Sequence, residues 1–182
     1  NNKLVKSSGL ILLLVVALTF QGCTSLSQNK SPSDSKVISL KNFYDNLLES
    51  KLTTFNQVES IVGKLSINVE ELSYSSYSGS NVALQDEYTV HASDVRVHSN
   101  NINDIKKVII DIDSVECLEI TSVAKDYGSA LMLVKGASDH AMLTPSNVAY
   151  YSTIENDWGY VNFGFDSHTC LKTMAFFKGK SN

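Results

Sequence analysis

Arginine is all but missing from this chain. Arg96 stands alone among 15 basic and 19 acidic side chains, and the 182 residues carry a formal net charge of −4. A nucleic-acid reader sets clusters of arginine and lysine against phosphate. One arginine and no basic run exclude that class, and the acidic balance does not favour an anionic lipid face. The common catalytic signatures are missing too: there is no GxSxG, HExxH, Walker loop or GxGxxG. Only three cysteines occur, Cys23, Cys117 and Cys170, and none lies in a CxxC pair. Zinc binding and thioredoxin-like chemistry therefore have little support, and no cofactor is implied.

What is present begins at the N-terminus. Lys3 and Lys6 form a short positive region, an apolar stretch runs from Leu10 to Phe20, and Gln21-Gly22-Cys23 follows. This is the layout of a secretory signal over residues 1–22, and its apolar core is too short for an ordinary spanning helix of about 20 residues. The competing reading is a buried amphipathic helix with an incidental cysteine. It fits poorly with a run that is apolar on all sides. The junction Phe20-Gln21-Gly22-Cys23 resembles the lipobox of bacterial lipoproteins, although Phe20 and Gln21 depart from its commonest residues. The resemblance implies that Cys23 is lipidated, becomes the mature N-terminus and anchors the protein to a membrane. Thr24 in place of an aspartate implies transfer to the outer membrane, on its periplasmic face.

Removing the signal takes away two basic residues and no acidic ones, which leaves a net charge of −6. With Cys23 assigned to the anchor, Cys117 and Cys170 remain as a pair in an oxidising compartment. A disulfide is the default, and two buried free thiols are the alternative. Residues 23–36, serine-rich and containing Pro32, read as a flexible tether behind the lipidated cysteine. The folded domain is expected over 37–182.

Within that domain, Leu40, Phe43, Leu47 and Leu48 fall at helical spacing in 39–50. A second short helix is expected over 54–62, with Thr53 or Thr54 as N-cap, Gly63 just past its end, and a buried stripe of Phe55, Val58, Ile61 and Val62. Runs at 82–90, 94–98, 107–113, 130–134, 147–153, 158–166 and 171–177 are rich in β-branched and aromatic residues. Turn-forming segments separate them, among them 77–81, 99–101 and 155–157. The fold class is therefore α+β, with short helices packed on one face of an antiparallel sheet. A weak repeat suggests two related helix-plus-sheet halves, 39–116 and 117–178. The segment from Leu52 to Gly63 aligns with that from Leu118 to Gly128, each read as a threonine-started helix stopped by glycine. Residues 108–120 also align with 161–173, each a strand ending in aspartate, then a turn, then Cys-Leu.

The segment Thr53-Thr54-Phe55-Asn56-Gln57-Val58-Glu59-Ser60-Ile61-Val62-Gly63 resembles the helix signature of the SmpA/OmlA (BamE-like) lipoproteins, which read Thr-x-x-x-Val-x-x-x-x-Gly soon after the lipidated cysteine. The closing strands WGYVNFGFD and CLKTMAFF resemble that family's terminal hairpin. A tandem of such units is similar to the β-lactamase-inhibitor-protein arrangement. The usual Gly-x-Pro after the helix is absent, since Gly63-Lys64-Leu65 stands there. The resemblance implies a protein-binding scaffold without catalysis.

The remaining polar residues read as structural. His91 and His98, seven positions apart, fall on opposite faces of an unbroken strand, so a metal site would need a bulge between them. His140 offers no pattern. Asp111 and Asp113 share a face, but Val108, Ile110 and Ile112 pointing inward leave them as the wet side of a strand rather than an acid–base pair. His168 and Asp166 lie near Cys170, which has no thiolate if it is disulfide-bonded. The aromatics point more clearly to function. In 158–166, Val161, Phe163 and Phe165 share one face, and Trp158, Tyr160, Asn162 and Gly164 share the other. If the first face meets the helices, Trp158 and Tyr160 stand on the open sheet face. Tyr150 or Tyr151, and Tyr74 with Tyr77, are candidate neighbours in one partner-binding surface; the alternative is that these rings cover the core. The expected partner is another envelope or periplasmic protein. An accessory role in envelope assembly comes first, an inhibitor or immunity lipoprotein second, and an enzyme or small-ligand carrier last.

Overall fold

The computed structural model describes residues 38–128, 134–135 and 148–180. The expected signal segment and tether, Cys23, His140 and most of the strand expected at 130–134 lie outside the described residues. The fold is α+β and dominated by antiparallel sheet. Two helices, α1 (Leu40–Ser50) and α2 (Phe55–Val62), lead into β1 (Leu65–Glu70), β2 (Tyr74–Gly79), β3 (Asn81–Ala83), β4 (Thr89–His98) and β5 (Asn101–Asp113). Helix α3 (Ile120–Tyr127) follows, then β6 (Val134–Lys135), β7 (Tyr150–Glu155), β8 (Gly159–Phe165) and β9 (Leu171–Lys178). The nine strands form one sheet in the order β1-β2-β4-β5-β9-β8-β7-β6, with β3 paired to β4.

The helices start and stop where local chemistry dictates. The Ser39 hydroxyl accepts from Asn42 N–H at α1, and the Thr54 hydroxyl accepts from Gln57 N–H at α2. Each satisfies a donor the first turn leaves unpaired. The Asp86 carboxylate, from the β3–β4 connection, accepts from Leu40 N–H at 2.9 Å and places negative charge at the positive end of α1. At α3 the cap position is Glu119, whose side chain makes no capping bond. Thr121 lies inside that helix, so the threonine start expected from the repeat is not shared. Gly128 ends α3 at φ 84°, in the left-handed region that favours glycine.

All three helices meet the same face of the sheet. Leu40, Phe43, Tyr44 and Leu47 of α1, Val58 and Val62 of α2, and Val123 of α3 join one core cluster. From the sheet, Val90, Val95, Val108, Ile110, Val161, Phe163, Met174 and Phe176 belong to it. Tyr44 lies 4.8 Å from Tyr127 and 5.7 Å from both Phe163 and Phe176, ring centre to ring centre. Helix-to-helix and helix-to-sheet packing thus pass through the same aromatic group.

Several expectations need correction. The stretch 74–79, part of which falls in the expected turn 77–81, is strand β2, and β1 lies where no strand is expected. Strand β2 is serine-rich, presents little periodic apolar signal and is organised by pairing with β1 and β4, whereas Leu65-Ser66-Ile67-Asn68-Val69-Glu70 of β1 alternates apolar with polar residues and pairs with β2. The runs 82–90 and 94–98 belong to two strands. Short β3 turns back at 84–88, and β4 continues through a bulge between Ala92 and Asp94. The two Cys-Leu motifs are not equivalent: Cys117 lies between β5 and α3, whereas Cys170 lies between β8 and β9. Gly159 opens β8 because β9 passes too close for a side chain. A Cβ there would stand 1.9 Å from the Phe177 carbonyl oxygen.

Candidate functional site

The face of the sheet opposite the core carries none of the described helices, and strand register fixes what it displays. Directly paired residues on neighbouring strands share a face. One row reads Ser76, Arg96, Lys107, Phe177, Tyr160, Glu155 across β2, β4, β5, β9, β8 and β7. The next reads Asp94, Ile109, Ala175, Asn162, Thr153, and a third reads His91, Asp111, Thr173, Gly164, Tyr151. Tyr74, two residues before Ser76 on β2, stands on the same face opposite His98.

The six aromatic candidates therefore divide. Tyr160, Tyr151 and Tyr74 are on the helix-free face. Tyr160 stacks on Phe177 with ring centres 4.7 Å apart and planes 12° apart. Tyr74 donates to Glu71 at 3.1 Å and lies under the Arg96 guanidinium, 4.4 Å from it. Trp158, Tyr150 and Tyr77 are partly buried and packed against the core instead. Trp158 precedes β8 in the turn after β7, so strand alternation does not reach it. Tyr77 meets Phe55 of α2 at 4.8 Å. Gly164 does not leave the face shallow: a Cβ there would lie 2.6 Å from Thr173 Oγ1 and 3.0 Å from a Val148 methyl, so its space is already filled.

Arg96 was noted from sequence only as the sole arginine, and neither Asp94 nor Lys107 was singled out. Asp94 accepts from the Ser76 hydroxyl at 2.7 Å, and its other oxygen lies 3.0 Å from Arg96 Nη2 and 2.7 Å from Lys107 Nζ. Lys107 is only 4 % exposed. Burial pushes its ammonium pKa down, against the pull of Asp94. The β4 bulge also brings His91 and His98 to the same face, contrary to the unbroken-strand reading. His91 faces Asp111 across the β4–β5 pair. Among the described residues no three histidine, cysteine, aspartate or glutamate side chains are grouped to hold a metal ion.

Asp111 has a buried Oδ1 with no hydrogen-bond partner. Burial raises its carboxyl pKa, outweighing the Ser93 hydroxyl and His91, which favour the charged form. The folded state therefore holds this proton more tightly than the unfolded chain does. Ionised Asp111 opposes folding at neutral pH, and that opposition fades as pH falls through the raised pKa. Asp111→Asn is expected to raise the melting midpoint at neutral pH, with the gain shrinking in acid. Melting curves across pH test this; a neutral-pH midpoint equal to or below wild type would show that the carboxylate is supported rather than strained.

The third cluster is structural. Cys117 and Cys170 are bonded, with an S–S distance of 2.03 Å. Asp166 Oδ1 accepts from His168 N–H at 2.9 Å and Cys170 N–H at 3.0 Å, so this carboxylate shapes the β8–β9 turn. With its sulfur in a disulfide, Cys170 has no thiolate to offer beside His168.

By fold the chain is an α+β protein with one sheet face free of helices among the described residues. Comparison with protein families, with curated proteins and with solved structures yields no match.

Proposed function

We propose that this chain is a lipid-anchored envelope protein that binds another protein without catalysis, on the periplasmic side of the outer membrane. The observation that carries the reading is the helix-free face, where Tyr160 stacked on Phe177 stands beside a fixed charged group, as hot spots of protein interfaces combine aromatic area with polar handles. The lipobox-like Phe20-Gln21-Gly22-Cys23 supports the anchor. An accessory role in envelope assembly follows from the SmpA/OmlA resemblance.

One observation favours the inhibitor or immunity alternative. Helix α2 followed by β1, β2, β4 and β5, and α3 followed by β6 to β9, run inward from opposite edges of the sheet to a shared β5–β9 seam. Two copies of one helix-and-four-strand unit joined at their last strands would give this order. It supports the reading of two related halves and matches the tandem that the inhibitor-like resemblance implies.

Two experiments test the proposal. Cys23→Ser is expected to abolish acyl labelling and release the protein from membranes; tight membrane retention with the label intact would refute the anchor. Crosslinking in intact envelopes identifies the partner, and Tyr160→Ala is then expected to weaken binding by about 2 kcal/mol while changing stability much less. Unchanged affinity would remove this face as the interface.

A further inference from the structure

The charged group on the helix-free face has more donors than acceptors. An ammonium carries three donors and a guanidinium five, and neither accepts. Against Arg96 and Lys107 stands Asp94, the one carboxylate within ion-pair distance of either among the described residues, and it also accepts from Ser76. Arg96 Nε is buried with no hydrogen-bond partner. Glu71, the next acidic group nearby, accepts from the Tyr74 hydroxyl. What the group lacks is anionic oxygen.

The group is also held in place. The Tyr74 ring under the guanidinium and the Asp94 contact together fix the plane of Arg96 before anything binds, which reduces the ordering cost of binding. Lys107, nearly fully buried beside it, adds positive charge that water screens little. Such a desolvated ion pair adds little to folding beyond what apolar side chains of the same size would give.

We infer that Arg96, backed by Lys107, receives an aspartate or glutamate side chain of a partner protein, with the Tyr160–Phe177 stack taking the apolar surface beside it. The inference rests on reading this face as a protein-binding surface and adds the chemistry of what it binds. Charge complementarity supports it: an anionic group completes a site whose donors exceed its acceptors.

Arg96 is the sole arginine in the chain, so isotope-labelled arginine gives one side-chain Nε–H signal to follow. The full chain in neutral detergent is titrated with a glutamate decapeptide, an asparagine decapeptide and inorganic phosphate. The signal is expected to shift saturably with the glutamate peptide, to stay still with the asparagine peptide, and to move less with phosphate. Arg96→Lys, which keeps the charge and loses the planar fork, is expected to weaken glutamate-peptide binding about tenfold with an unchanged melting curve. A signal that does not move at saturating glutamate peptide, or that moves as far with phosphate, overturns the inference. If Tyr160→Ala weakens binding of the crosslinked partner while Arg96 stays silent, only this inference fails. If both are silent, the face itself is not the interface.

Discussion

Phe163→Ala is expected to cost about 3–5 kcal/mol of folding free energy, the largest single effect among the side chains considered. Phe163 is 0 % exposed. Its ring lies 5.7 Å from Tyr44 of α1 and 5.5 Å from Tyr127 of α3. Removing it opens a cavity where two helices meet the sheet, and rigid strand neighbours on either side limit collapse into the space. Small domains have only about 5–15 kcal/mol in hand, so a large part of the total is at stake. Urea unfolding, with the slope held equal, measures it. A loss below about 1 kcal/mol would mean that the site collapses freely and that the aromatic group is not the centre of the core. Tyr160→Ala, on the opposite face of the same strand, is the internal contrast. Trp158→Ala should follow Phe163 in kind, costing stability more than binding, because its ring packs on the core.

Loss of the Cys117–Cys170 bond is expected to cost about 4 kcal/mol, within a usual range of about 2–5 kcal/mol. The two cysteines are 53 positions apart. In the chain-entropy account, the bond stabilises mainly by denying the unfolded chain the conformations of an open loop of that length. The native arrangement has its own support: Leu171 N–H donates to the Leu118 carbonyl at 3.0 Å, and Glu119 bridges to Cys170. Cys117→Ser and Cys170→Ser should therefore fold alike and lose similar amounts, and the doubly substituted protein should lose no more. Unfolding curves of the three variants, with mass spectrometry of non-reduced, alkylated protein, decide the matter. Two alkylated thiols in the wild type would show that the bond is absent.

Much of the fold was legible in the sequence because its signals were local. The two N-terminal helices appear within a residue or two of their expected bounds. Their caps are short-range hydrogen bonds at Ser39 and Thr54, and their apolar stripes repeat at helical spacing. Strand β8 showed its core face through Val161, Phe163 and Phe165, since alternation needs nothing beyond the strand itself. The Cys117–Cys170 bond was the default expectation once Cys23 is set aside for the anchor, and the two are bonded.

Tertiary structure decided what depends on distant partners. Tyr74-Ser75-Ser76-Tyr77-Ser78-Gly79 has no apolar rhythm of its own and is a strand because β1 and β4 hydrogen-bond to it on both sides. A bulge in β4, set by its pairing with β5, turned His98 to the same face as His91. Trp158 left the open face because β8 begins one residue later, where the hairpin turn directs its ring to the core. Asp94, Arg96 and Lys107 carry no motif: three charged residues in a chain with many are unremarkable until two strands set them side by side and burial withdraws Lys107 from water. The sequence by itself determined the helices and the alternation within strong strands, because those rest on neighbours a few residues away. Which residues share the helix-free face was decided by register between strands far apart in sequence, since a shift of one residue reverses every side chain.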